Sequence, residues 1–187
     1  MKPPADLAAF SKEHLCYEIN CLYAGVALHL GCSTAANDAF SLTLKNLLLE
    51  GVLLHSRCLY EFLYRDSRRY ADDAIAADFF ASPNHWTEKR PAPSPALAEL
   101  SGRAGKEVAH LSYKRLDVIQ EKKHWNVLQI SAELLHVLRL FVEAAPHETV
   151  SQSTRDTVNH WKSFTGFNSI DLIPKGSTAT PIFSKTK

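Results

Sequence analysis

The sequence predicts a single all-α domain, and three observations lead to this prediction. Apolar residues recur at steps of three and four through most of the chain, the spacing of one helix face. Prolines, which interrupt helices, fall between the periodic segments. The 187 residues include 45% hydrophobic and 22% charged side chains, enough for one continuous core. We expect an antiparallel four-helix bundle with a long irregular crossover between helices two and three and a short extra C-terminal helix.

The first two predicted helices form a hairpin. Helix one covers Leu7 to Leu28 and has two neighbouring apolar stripes, so we expect it to pack against two neighbours. The first stripe is Leu7, Phe10, His14, Tyr17, Cys21, Ala24 and Leu28, and the second is Leu15, Ile19, Leu22 and Val26. Helix two follows the polar stretch 33–38, with the stripe Leu44, Leu48, Val52, His55, Leu59 and Phe62. Because few residues separate them, the two helices should lie antiparallel.

The segment from Arg65 to Pro95 is predicted to be an ordered crossover. Its four prolines prevent a long helix, although residues 74–80 could form a short one. Three large apolar side chains should anchor the segment on the bundle: Phe79, Phe80 and Trp86. We therefore expect the crossover to belong to the same domain as the helices.

Three further helices complete the prediction. Helix three begins with Ser94 as its N-cap and Pro95 in its first turn, followed by the stripe Leu97, Leu100, Ala104, Val108 and Leu111. Helix four spans Trp125 to Ala144, with Val127, Ile130, Leu134, Val137, Leu138 and Phe141 inward. A fifth, shorter helix covers Ser153 to Phe164. We assign residues 1–165 to one domain and 166–187 to a loosely ordered tail.

Composition excludes several classes of function. A net charge of +1 provides no overall field to recruit nucleic acid or an anionic membrane. The four cysteines form no C-x-x-C pair and lie in apolar segments, which favours a reducing, cytoplasmic location. Charged residues interrupt every long apolar stretch, so we expect neither a membrane span nor secretion. Phosphate-loop, dinucleotide-binding, serine-hydrolase and zinc-protease motifs are missing, and we predict no cofactor.

The candidate site is the pair Arg103 and His110 on helix three. They are seven positions apart in the sequence. On a regular α-helix their side chains would therefore differ in direction by only about 20°. Lys106 and Lys114 extend the same stripe with cationic groups. An arginine presents a fork of donors to phosphate oxygens, and a histidine titrates near neutral pH. The stripe therefore suits phosphate chemistry.

The spacing R-x6-H, on a helix of an all-helical domain, resembles the R-x(4 to 6)-H signature of the HEPN superfamily. The resemblance implies binding of RNA or nucleotide phosphate and, for the members that are ribonucleases, RNA cleavage without a metal. In that mechanism His110 would be the acid/base and Arg103 the phosphate clamp. The resemblance also implies a homodimer in which two motifs pair.

A second match to the same signature is Arg155 with His160. The residue after Arg155 is the polar Asp156, as is common in the family, whereas Ala104 follows Arg103. On a regular helix, however, a five-residue offset separates the two side chains by about 140°. Geometry favours the first match and local composition favours the second, so the sequence leaves the choice between them open.

His55 and Arg57 on helix two are further candidates for substrate binding. The functional interpretation places either of them opposite His110, with Arg57 adding a cation to the same pocket. In the alternative interpretation His55 is a core histidine with a hydrogen-bond partner, and Arg57 pairs with Glu61 at the i,i+4 spacing. Two E-x-x-H pairs, at Glu107 and Glu133, lie on neighbouring predicted helices and point in different directions, so we predict no metal site.

Two functions of different classes therefore remain open. One is an RNA-binding or nucleotide-binding domain, with metal-independent cleavage if it is an enzyme. The other is a non-catalytic helical interaction or homodimerisation module, in which Arg103 pairs with Glu107 as part of a salt-bridged helix flank. No short helix is dense in Arg, Lys, Asn and Gln, so sequence-specific reading of duplex DNA is not expected.

Overall fold

The computed structural model describes residues 2–32, 38–111, 113–116, 118 and 124–162. All regular elements in these ranges are helical, with no β-strand, which confirms the all-α class. The α-helices are α1 (Pro4–Phe10), α2 (Cys16–Cys32), α3 (Ala39–Tyr64), α4 (Pro83–Lys89), α5 (Pro95–Ala104), α6 (Val127–Ala144) and α7 (Gln152–Lys162). The predicted tail at 166–187 lies outside the described residues. No helix within the described ranges combines the length and apolar composition that a bilayer span requires.

A π-helical turn at Ser11–Leu15 joins α1 to α2 and changes which apolar stripe is buried. The backbone N–H of Cys16 bonds to the carbonyl of Ser11, five residues earlier, so one extra residue rotates the rest of the helix. The second predicted stripe, Leu15, Ile19, Leu22 and Val26, is buried. In contrast, Tyr17 and Leu28 are 58% and 59% exposed, and their predicted place in the core is wrong.

The N-terminus of α7 holds this π turn in place. The Thr154 hydroxyl donates to the Ser11 carbonyl at 2.8 Å, and the Ser151 backbone N–H donates to Ser11 Oγ at 2.9 Å. Ser11 is fully buried, so these bonds supply partners that water cannot reach. The π turn that follows α1 is thereby tied to the start of α7.

Helices α2 and α3 form the antiparallel hairpin that the sequence predicts. Three contacts fix their direction, because the residue number rises on α2 as it falls on α3: Glu18 with His55, Gly25 with Val52, and His29 with the Lys45 carbonyl. A Cβ at Gly25 would lie only 3.1 Å from Val52 Cγ2, so the glycine allows the helices to approach closely. Asp38 caps α3 by accepting from the Ser41 backbone N–H at 3.0 Å.

The crossover between α3 and α5 packs into the core through its aromatic residues, as predicted. A 3-10 turn at Ala76–Phe79 is followed by α4, which the sequence analysis did not predict. The indole N–H of Trp86 donates to the Leu63 carbonyl at the end of α3, at 2.7 Å. The buried aromatic cluster consists of Phe62, Phe79, Phe80, Trp86 and Phe141.

The later helices agree with the sequence in part. The Ser94 side chain accepts from the Leu97 backbone N–H at 3.2 Å, and the six predicted core residues of α6 are all buried. Helix α5, however, stops at Ala104 and continues as a π-helical turn, Gly105–Ala109. Leu111 is 94% exposed, so the prediction that the buried stripe extends to Leu111 is wrong.

Candidate functional site

Arg103 lies in the last turn of α5, where its guanidinium forms an ion pair with one neighbour and lies over the aromatic ring of another. Its Nε and Nη2 donate to the two carboxylate oxygens of Glu107, at 2.9 and 3.1 Å. Its guanidinium lies 3.9 Å above the ring centre of the buried Trp125. Glu107 is itself buried, so the ion pair is largely shielded from water. This arrangement holds the end of α5 against the start of α6.

His110 lies beyond the helix that was predicted to carry it. The π turn intervenes after Ala104, and His110 has an extended backbone with φ −122° and ψ 137°. Its backbone N–H bonds to the Gly105 carbonyl at 3.0 Å, and its side chain is exposed. The α-helical geometry that would align Arg103 with His110 is therefore not present.

A cavity of about 400 Å³ lies beside Arg103. Its described lining includes Arg103, Lys106, Glu99 and Glu107, which are two basic and two acidic side chains. His110 is not among these lining residues, although Lys106 is. The cavity brings two of the predicted residues together in surroundings that are nearly neutral overall. Lys114 lies in the 3-10 turn Tyr113–Leu116, and its side chain is outside the described part of the structure.

Arg57 lies against Gly105 in the π turn that follows α5. Its Nε donates to Glu61 Oε1 at 2.9 Å. A Cβ at Gly105 would lie 3.3 Å from Arg57 Nη1, so the glycine makes room for the guanidinium at the π turn. The i,i+4 pair with Glu61 is the alternative that the sequence analysis gave for this arginine.

Glu61 joins α3 to α5. Its carboxylate also accepts from the Ser101 hydroxyl at 2.6 Å and pairs with Arg65 at 2.8 Å. Burial acts to raise the pKa of Glu61, but the hydrogen bonds from Ser101 and Arg57 and the charges of Arg57 and Arg65 hold the pKa below its ordinary value. These contacts describe a structural connection between two helices.

His55 contacts α2. Its Nδ1 lies 2.8 Å from Glu18 Oε2, and its ring packs edge-on against Tyr17 with centroids 5.8 Å apart. The sequence analysis expected a hydrogen-bond partner for this histidine but did not identify Glu18. Nearby, burial and the charges of Glu18 and Glu61 raise the pKa of the Cys58 thiol to about 11, which keeps it protonated at neutral pH.

Arg155, the arginine of the second match, caps the C-terminus of α6. Its Nη1 donates to the Val142 carbonyl, and its Nη2 donates to the carbonyls of Ala145 and Pro146 at 3.0 and 3.3 Å. Burial lowers the pKa of this guanidinium, and the side chain is only 9% exposed. His160 is exposed and lies against Trp161. Two of these carbonyls, those of Val142 and Ala145, lie at the end of α6, where intrahelical donors are no longer provided.

A larger cavity, about 840 Å³, lies between α1 and residues 68–78. Its described lining includes none of the predicted site residues. Arg68 crosses this region by donating to the Asp73 carbonyl at 2.9 Å and to Asp78 Oδ1 at 2.5 Å. Across the described ranges, no three His, Cys, Asp or Glu side chains come together as a metal site would require.

No protein-family model, curated protein or solved structure matches this chain. The residues themselves therefore carry the functional argument.

The sequence analysis missed an exposed apolar surface on the α2–α3 hairpin, which we call the outer face. Its members are Tyr17, Cys21, Leu28, Phe40, Leu44, Leu47, Gly51, Leu54 and Cys58. Six of them are large apolar side chains that are 37–77% exposed. Leu28 lies between Gly25 and His29 on α2, and both of these residues contact α3. Their contacts place Leu28 at the same height along the hairpin as the turn that contains Leu47. Both helices thus expose large apolar side chains at the same level of the hairpin.

The α3 part of the outer face was visible in the sequence. Residues 40, 44, 47, 51, 54 and 58 follow steps of four and three, which is one helix face. A second stripe on the same helix is buried and includes Leu49, Val52 and Leu59. Helix α3 is therefore apolar on two sides, but only one of them is buried against the rest of the described chain. No charged residue occupies the outer stripe.

Proposed function

We propose that this chain is a non-catalytic helical interaction module and that the outer face is its docking surface. The supporting observation is the uncharged stripe of exposed leucine and aromatic side chains along α2 and α3. The largest connected apolar patch on a typical monomer is about 300–600 Å², and such patches are often functional. A partner that covers this face would remove that area from water, which is the main driving force for association.

The contacts of Arg103 favour this proposal over catalysis. A phosphate clamp needs guanidinium donors directed at the ligand, but Glu107 already accepts from two nitrogens of Arg103. Breaking that bidentate pair would leave the buried Glu107 carboxylate without its partner, which is costly. The same geometry gives Arg103 a direct role in holding α5 against Trp125.

The proposal has two finer parts. The homodimer expected from the sequence is one form that docking on the outer face can take. The antiparallel four-helix bundle is our proposed description of the arrangement of α2, α3, α5 and α6, all of which contribute buried residues to one core.

A photo-crosslinking amino acid at position 47 tests the proposed function. When it replaces Leu47 in cells that produce the protein, we expect one discrete crosslinked product, because position 47 lies in the middle of the docking surface. Leu111 is the matched control, since it is an equally large, exposed leucine outside the outer face. Crosslinking is measured by gel shift and mass spectrometry.

The product at position 47 should disappear when Leu54→Glu is added, since a buried charge without a partner opposes docking. Circular dichroism checks that this variant stays folded. Equal products at positions 47 and 111, or none at position 47, would contradict the proposed docking surface.

Binding of RNA or nucleotide phosphate is the second candidate, and one observation supports it. Arg103 and Lys106 line the same cavity of about 400 Å³. If the chain is a ribonuclease, it should cleave RNA in the presence of a chelator, leave cyclic-phosphate ends and lose this activity in a folded His110→Ala variant. Unchanged cleavage by His110→Ala would remove His110 from the mechanism, and an inactive wild type would remove the enzyme candidate.

A further inference from the structure

We infer that the partner of the outer face is a second copy of this chain, in an antiparallel α3–α3 contact centred on Gly51. This inference rests on the proposed function, because it names the partner of the same docking surface. Area, symmetry, charge and backbone access each support it.

The exposed area is large enough for a dimer. The six large side chains are Tyr17, Leu28, Phe40, Leu44, Leu47 and Leu54, each 37–77% exposed. Taking about 200 Å² for a whole side chain of this size, they expose roughly 600 Å² together. Specific interfaces bury about 600–1,000 Å² on each partner. Two outer faces placed against each other thus reach the lower end of that range before any neighbouring residue is counted.

The α3 stripe is close to symmetric about Gly51. Leu47 precedes Gly51 by four residues and Leu54 follows it by three, while Leu44 and Cys58 lie seven residues away on either side. A two-fold axis at Gly51 would place Leu47 of one copy beside Leu54 of the other. A two-fold interface requires such a self-complementary surface, because each copy contributes the same residues.

The absence of charge on the α3 stripe is compatible with self-association. Two identical faces carry identical charges, so a charged stripe would place like charges near one another across the two-fold axis. The six stripe residues, at positions 40, 44, 47, 51, 54 and 58, include no Lys, Arg, Asp or Glu. Bringing two copies together therefore meets no like-charge repulsion within the stripe.

Gly51 leaves open space at the centre of this surface. A Cβ at Gly51 would have no described atom within 4 Å, which is also true at Gly31 and Gly102, whereas a Cβ at Gly25 would meet Val52 and a Cβ at Gly105 would meet Arg57. Glycine within a helix destabilises that helix relative to alanine. At Gly25 and Gly105 a neighbour within the same chain explains the glycine. At Gly51 a helix of the second copy can occupy the space.

The inference is tested by a single cysteine placed at Gly51. Cys32, which lies outside the outer face, is first replaced by serine, while Cys16, Cys21 and Cys58 are kept. This purified parent should have twice the chain mass of 20.9 kDa by light scattering at tens of micromolar, and its own oxidation gives the background for the added cysteine. Mild oxidation of the Gly51→Cys variant should then produce a disulfide-linked dimer in high yield, because a two-fold axis at this residue brings the two sulfur atoms together.

Gly102→Cys is the matched control, since Gly102 is also a helix glycine with no described atom within 4 Å of a Cβ, but it lies on α5. It should crosslink at least tenfold more slowly. A single-chain mass at every concentration overturns the inferred dimer, as does equal crosslinking at the two positions. If that single-chain mass accompanies a product at position 47 that contains another protein, the second copy is overturned and the docking surface is retained.

Discussion

Phe141→Ala is expected to lower the free energy of unfolding by about 3–5 kcal/mol, the largest effect of any single substitution we predict. Phe141 is fully buried in α6, and its ring contacts four aromatic side chains with centroids 5.3–6.0 Å away: Phe62, Phe79, Phe80 and Trp86. Truncation removes the aromatic contacts by which Phe141 joins α6 to α3 and to the crossover. A loss of this size is a large part of the total stability of a typical domain.

Urea denaturation, followed by circular dichroism, measures this loss. Tyr113→Ala is the control, because it also removes an aromatic ring but at a position that is 91% exposed. We expect its effect to stay within about 0.5 kcal/mol. Similar losses for the two variants would mean that the aromatic cluster does not form the centre of the core.

Arg155→Met is expected to destabilise the protein by about 2–4 kcal/mol, since it removes the side-chain donors that the buried carbonyls of Val142 and Ala145 use at the end of α6. Methionine keeps much of the side-chain length, so the loss reports on hydrogen bonds more than on packing. Arg155→Lys should recover only part of the loss, because an ammonium group cannot reproduce the planar fork of a guanidinium.

Arg69→Met provides the comparison for this prediction. Arg69 is exposed, and its guanidinium lies over the Tyr70 ring, so its loss should cost less than about 1 kcal/mol. Thermal unfolding distinguishes the two arginines. If Arg155→Met melts at the same temperature as the wild type, the guanidinium is free for another role, such as the one that the R-x4-H match of Arg155 with His160 suggests.

Helix α6 shows how much of the fold periodicity can predict. All six residues predicted to be inward are buried, and Leu128, Leu135 and Val142 widen the same buried face. The buried face of α3 is harder to predict, because apolar residues follow helical spacing on two faces of this helix. Spacing alone identifies both faces as apolar, but it does not say which one meets the rest of the chain. The exposed outer face was therefore missed.

The two π turns account for the main errors. Each adds one residue to a helical turn, so a face extrapolated at 100° per residue is wrong beyond it. After Ser11–Leu15, Tyr17 and Leu28 turn outward. After Ala104, the turn Gly105–Ala109 separates Arg103 from His110. No simple residue pattern marks either turn, and the tertiary contacts of Ser11 with α7 are not readable from local sequence.

Sequence spacing predicted the local ion pairs of the candidate site, but it did not predict which distant side chains contact them. The i,i+4 pairs Arg103 with Glu107 and Arg57 with Glu61 are present, as their spacing indicates. The partners that decide the role of each arginine come from distant parts of the chain. Trp125 lies under Arg103, and Ser101 completes the contacts of Glu61. Such partners depend on packing, which a single sequence does not specify.

The central claim is that the outer face, and not the Arg103–His110 stripe, is the functional surface of this chain. Light scattering of three purified proteins tests it most directly: the wild type, Leu54→Glu and His110→Ala. We predict twice the chain mass of 20.9 kDa for the wild type and His110→Ala, and a single-chain mass for folded Leu54→Glu. A wild type and Leu54→Glu of equal mass, with RNA cleavage that His110→Ala abolishes, would contradict the claim.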